Sequence, residues 1–88
     1  MIKWKYKPSG NCPVQAEGTF KNNFFYFRSR GEWATIEFAR SEEDFDQDNI
    51  YVKIILLETA LHRAGWLPKW FCTVLVYWGC AKFWYKYM

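Results

Sequence analysis

An α+β domain is the fold class this sequence predicts: a three- to four-stranded antiparallel meander over residues 2–38, packed on one or two C-terminal helices. Three observations predict it. Short segments of period-two apolarity, separated by turn residues, fill the first 38 positions. The apolar period lengthens after Ile50, and a ring-rich segment without acidic residues closes the chain. At 88 residues there is room for one core, so residues 1–88 form one domain. It reads as a β-sheet half (1–40), an acidic loop (41–49) and a helical, Trp-rich half (50–88).

The first strand alternates Ile2, Trp4 and Tyr6 with Lys3, Lys5 and Lys7, which gives an aromatic inner face and a lysine outer face. Pro8-Ser9-Gly10-Asn11 is turn chemistry. Val14, Ala16, Gly18 and Phe20 then alternate with Gln15, Glu17 and Thr19 in a second strand. Lys21-Asn22-Asn23 closes a hairpin, because asparagine tolerates the left-handed backbone that tight turns require. Phe24 to Arg30 is the third strand, with Phe25, Phe27 and Ser29 on one face and Phe24, Tyr26, Arg28 and Arg30 on the other. Gly31-Glu32 turns the chain into Trp33–Phe38, where Ala34, Ile36 and Phe38 share a face.

Ser41 to Asp44 resembles a helix start, but the belt from Asp44 to Asn49 is too polar to bury a face. Ile50, Ile54, Leu57, Leu61 and Ala64 make a helical stripe, capped by Asp48 or Asn49 and stopped by Gly65. β-branched residues in Tyr51–Leu57 leave a strand open as the alternative. Leu67-Pro68 starts a last helix that runs to about Tyr85 and is apolar almost all round. One stripe holds Trp70, Val74, Tyr77, Ala81 and Trp84; Gly79, Lys82 and Lys86 interrupt the far side. A helix of that kind needs cover on more than one side: its own sheet, a second copy in a homodimer, or lipid.

With 51% hydrophobic and 23% aromatic residues the chain is built to fold or to be covered, not to stay disordered. The net charge of +3 is unevenly spread. Basic residues dominate the first 40 positions, five of nine acids sit in 41–49, and only lysines follow Gly65. That dipolar layout suits a protein partner as well as a nucleic acid. Cys12, Cys72 and Cys80 lack metal-type spacing, and the start of the chain lacks a secretory pattern, so a reducing cytoplasm is the expected compartment.

The run Ser9-Gly10-Asn11-Cys12-Pro13-Val14-Gln15-Ala16-Glu17-Gly18, with Phe25-Tyr26-Phe27-Arg28-Ser29-Arg30 and Trp33 after it, resembles a group of short bacteriophage and prophage proteins. Ala64-Gly65-Trp66-Leu67-Pro68 is similar to a later piece of the same group. The acidic belt and the Trp-rich tail depart from it. The group is functionally uncharacterised, so no catalytic or binding residue carries over. What the resemblance implies is a setting. Small phage proteins without enzymatic motifs often act by occupying a host machine, CRISPR effectors and other defence complexes included.

Candidate chemistry is sparse. A Cys12–His62 nucleophilic pair would need a third group to orient the imidazole, and nothing in the sequence ties the two together. Asp44-Phe45-Asp46-Gln47-Asp48-Asn49 begins like a calcium loop, yet its twelfth position is Ile55 where a bidentate carboxylate is needed. Phosphate-cradling glycine loops, paired-cysteine zinc patterns and nucleophile elbows are missing. The sequence therefore predicts no catalytic residue, no cofactor and no metal. With the resemblance to phage proteins beside it, the expectation is a non-enzymatic binding protein of phage or prophage type that blocks a host protein or ribonucleoprotein complex in the bacterial cytoplasm, most concretely an anti-CRISPR-like inhibitor. Phe24, Tyr26 and Trp33 would anchor the partner, and Arg28 and Arg30 would supply charge-assisted hydrogen bonds. Two alternatives use the same residues differently. The basic, aromatic sheet face suits single-stranded nucleic acid, and the C-terminal aromatic helix suits a membrane surface.

Overall fold

Period-two patterning does build the first half of the chain. A computed structural model describes residues 2–10, 13–58 and 67–87. Four consecutive strands occupy β1 (Ile2–Ser9), β2 (Val14–Phe20), β3 (Asn23–Arg30) and β4 (Trp33–Ala39). A short helix α1 (Glu42–Asp46), a fifth strand β5 (Val52–Glu58) and a long helix α2 (Lys69–Tyr87) complete the order. The sheet is an antiparallel meander, β1-β2-β3-β4-β5, with α2 packed across one face.

The turns explain the pairing. Lys21 and Asn22 both have positive φ (52° and 65°), as a two-residue type I′ hairpin demands. The Asn23 side-chain amide donates to the Lys21 carbonyl oxygen at 3.0 Å and helps hold that turn. Gly31, with φ 62°, opens the two-residue turn between β3 and β4. These tight turns fix the register, so Gly18, Phe25 and Phe38 stand side by side on the inner face.

Two expectations change. Residues 51–57 do not form a helix: Val52–Glu58 is a strand paired along β4, which makes the sheet five-stranded rather than three- or four-stranded. The β4 edge supplies a ladder of backbone partners, and that outweighs the i, i+4 spacing of Ile50, Ile54 and Leu57. The remainder of the expected helix, Leu61 to Gly65, lies outside the described residues. The acidic belt is likewise not all loop. Ser41 caps α1 by accepting a hydrogen bond from the Asp44 backbone N–H at 3.0 Å, and Glu42, Glu43 and Asp44 favour the helix N-terminus electrostatically.

β1 also departs from simple alternation. Trp4 pairs with Gly18 but Tyr6 pairs with Glu17, so one extra β1 residue bulges at Lys5. Ile2 and Trp4 consequently pack toward α2, whereas Tyr6 turns to the opposite face. There its hydroxyl donates to Glu17 Oε2 at 2.7 Å.

The core lies between the inner sheet face and α2. Val14, Ala16, Phe25, Phe27, Ile36 and Phe38 meet Cys72, Leu75, Val76, Cys80 and Phe83 of the helix. Gly79 permits the close approach: a β-carbon there would lie 2.8 Å from Ile36 Cγ2 and 3.2 Å from Leu56 Cδ2. Trp70, Val74, Ala81 and Trp84 of the expected stripe are exposed on the outer side of α2, and Tyr77 sits at its edge, half exposed with its ring 6.3 Å from that of Trp4.

Candidate protein-interaction surface

The face of the sheet opposite α2 divides into a covered end and an open end. α1 folds back over the covered end and sets the Phe45 ring 5.1 Å from that of Phe24 and 5.3 Å from that of Tyr26. Phe24 is only 3% exposed as a result, and Tyr26 is half-buried. Burial, opposed by the Arg28 charge, raises the Tyr26 phenol above its ordinary value. At the same end Lys5 Nζ donates to Glu42 Oε2 at 2.6 Å, and this bond raises the lysine's pKa. Burial and the hydrogen bond to Glu17 raise the Tyr6 phenol as well. The Phe45 contacts and the Lys5–Glu42 ion pair hold α1 on the sheet.

The open end is different. Arg28 and Thr35 are cross-strand neighbours, as are Arg30 and Trp33, and Thr35 in turn neighbours Ile55. With Lys53 and the Gly31-Glu32 turn these residues line an open concavity of about 650 Å³. Arg28, Arg30 and Lys53 are exposed, and among the described residues none of the three is in an ion pair. Trp33 is 43% exposed. The result is a cationic hollow with an indole on one side and an aliphatic branch on the other.

Of the five residues expected to bind a partner, the structure brings Arg28, Arg30 and Trp33 together in this hollow. Phe24 is an interior ring beneath Phe45 and offers no surface while α1 stays in place, and Tyr26 keeps only part of its ring open. Sequence reasoning missed Lys53 and Ile55, because both were placed on a helix. The signal was available in the alternation of Val52 and Ile54 with Lys53 and Ile55. Cys12 and His62 lie outside the described residues.

The acidic belt is committed to other structure: Asp44 stands in the first turn of α1, its carbonyl oxygen accepts from the Asn49 N–H at 2.8 Å, and Asp48 takes a positive φ of 64°. Among the described residues no three His, Cys, Asp or Glu side chains converge as a metal site would require. No helix of the described residues is long and apolar enough to cross a membrane. Compared with protein-family models, curated proteins and solved structures, the chain finds no match.

Proposed function

We propose that this chain is a non-enzymatic binding protein of phage or prophage type that occupies and blocks a host protein complex, an anti-defence inhibitor of the anti-CRISPR kind being its most concrete form. One observation carries the binding role: Arg28, Arg30 and Lys53 surround Trp33 and Ile55 on an open sheet face, and among the described residues none of the three cations is in an ion pair. Arginine and tryptophan dominate interface hot spots, and an acidic partner surface would meet all three cations with charge-assisted hydrogen bonds. The host setting rests on the resemblance of the Ser9–Gly18 and Phe25–Arg30 segments to phage proteins. Blocking by occupancy needs no reactive group, only a rigid surface, and three adjacent strands supply one.

The test begins with copurification of tagged protein from a phage-sensitive host, followed by reconstitution with the purified complex and an assay of that complex's own activity. Stoichiometric binding with loss of activity is the expected result. Arg28→Ala with Trp33→Ala should weaken binding by roughly thirtyfold or more. Retained binding by that variant would remove the hollow from the interface, and unimpaired activity of the bound complex would remove the inhibitory role. The same cations and ring also suit single-stranded nucleic acid. Binding to an oligonucleotide that collapses steeply with salt, in preference to any protein, would decide for that reading instead.

A further inference from the structure

α2 presents a second surface. Trp70, Val74, Tyr77, Trp78, Trp84 and Tyr85 are each more than half exposed, from 52% for Val74 to 88% for Tyr85. At 3.6 residues per turn they fall in a single arc of about 120°, and at 1.5 Å rise they extend for about 22 Å. Folded monomers seldom leave so continuous an apolar strip to water.

Cations flank the strip on both sides. On one side Lys82 and Lys86 join Lys53 of β5 around a concavity of about 430 Å³ that Tyr85 and Tyr87 also line. The Lys82 ammonium lies 5.3 Å from the centre of the Trp78 ring. On the other side Lys21 stands at an apolar cleft of about 410 Å³ between α2 and the β1–β2 hairpin, lined by Ile2, Phe20, Tyr77 and Trp84. No acidic residue occurs anywhere in α2.

We propose that this face of α2 docks on an anionic lipid bilayer, with its rings at the headgroup–acyl boundary and its flanking lysines on lipid phosphates. Charge selects this occupant over a second copy. Two such helices face to face would set lysines beside lysines with no carboxylate on either helix to neutralise them, whereas an anionic leaflet neutralises every one. Ring chemistry agrees, because tryptophan and tyrosine join an apolar body to a polar edge and favour the membrane–water interface. The geometry is that of a helix lying on the membrane, since its opposite face is occupied by the sheet. The ring strip lies on the opposite side of the sheet from Arg28, Arg30 and Trp33, with Lys53 of the edge strand β5 lining a concavity of each, and the proposal stands without the host-complex reading.

The test uses the purified full chain and vesicles of phosphatidylcholine with or without about one-third phosphatidylglycerol. Sedimentation with the anionic vesicles and a blue shift of tryptophan emission are expected, both reduced at high salt. Lys82→Gln and Lys86→Gln should each weaken partitioning about fivefold. Trp70→Ser with Trp84→Ser should weaken it roughly tenfold or more. All four positions are exposed, so an unchanged melting temperature will separate a lost contact from a lost fold. Failure to sediment with anionic vesicles overturns the proposal, and so does equal binding to neutral vesicles with no effect of the lysine changes. A stable dimer that ignores vesicles assigns the strip to a second copy. Release of vesicle-bound protein by inorganic phosphate at constant ionic strength makes the lysine concavity a soluble-anion site, which also overturns it.

Discussion

Phe83 stacks on Phe38 with ring centroids 4.1 Å apart and planes 10° apart, which fastens α2 to β4 by a near-parallel ring pair. Both side chains are almost inaccessible to water. Phe25 and Tyr51 extend the group from either side, at 6.4 Å from Phe38 and 6.2 Å from Phe83. Phe38→Leu and Phe83→Leu should each destabilise the domain by about 1–2 kcal/mol, since volume is nearly kept but ring contact is lost. The double variant should lose less than the sum by about 0.5–1.5 kcal/mol, the coupling expected of an aromatic pair. Denaturant titration of the four proteins measures this, and strict additivity would mean that the two rings do not interact.

Gly79→Ala sets two effects against each other. Alanine favours a helix over glycine by about 1 kcal/mol. The new methyl would sit 2.8 Å from Ile36 Cγ2, a branch fixed close to the β4 backbone that cannot swing aside. Overpacking of that kind costs about 1–3 kcal/mol, so the variant should be less stable in spite of its better helix propensity. A raised melting temperature would show that α2 can move off the sheet at little cost.

Burial pushes the Cys80 thiol up to about 12, and burial likewise raises that of Cys72. The folded state thus holds the neutral thiol. Its contribution is complete below the unfolded thiol pKa near 9.0 and is lost as pH rises from there toward 12. Native protein at pH 8 should leave Cys72 and Cys80 unalkylated by iodoacetamide, and denatured protein should expose both; peptide mass mapping reads each site separately. Rapid native labelling of Cys80 would contradict its place on the buried face of α2, against the sheet.

Phe45→Ala tests how α1 is held. Removing a partly exposed ring should cost about 1 kcal/mol. It should also uncover Tyr26, whose phenol is raised mainly by burial, so its titration should move down toward 10.0. NMR of the tyrosine Cζ resonances, with the Tyr26 signal assigned among the six, follows this titration. An unmoved titration would mean that α1 contributes nothing to the environment of Tyr26.

Much of this architecture was legible from single side chains. Alternation in Val14–Phe20, Phe24–Arg30 and Trp33–Phe38 placed three strands and the face of each, because one face is buried and the other wet. β5 was ambiguous, since Ile54 and Leu57 satisfy a helical spacing and a strand about equally, and only the neighbouring β4 edge decides. The bulge at Lys5 left no trace, as an extra residue does not alter the composition of a Lys-rich strand. The orientation of α2 was hidden for a different reason: its outward side is as apolar as its inward side. The small residues Cys72, Gly79 and Cys80 face the sheet because they let the backbones approach, while the bulky indoles point away. Arg28, Arg30 and Trp33 were legible as surface from strand periodicity alone. That Phe24 would be covered was not, because Phe45 sits in a segment whose charge disguises its one large ring.

The order of elements sets a schedule for synthesis. Every strand pairs with its sequence neighbour, so hairpins can zip up one after another as the chain leaves the ribosome. Their apolar side stays bare until α2 emerges, from Glu58 out to Tyr87, an interval of roughly a few seconds at ~5–20 residues per second. For that interval the nascent chain carries a finished but roofless sheet, and a holding chaperone, or delayed translation of the last segment, would govern how much of it reaches the native state.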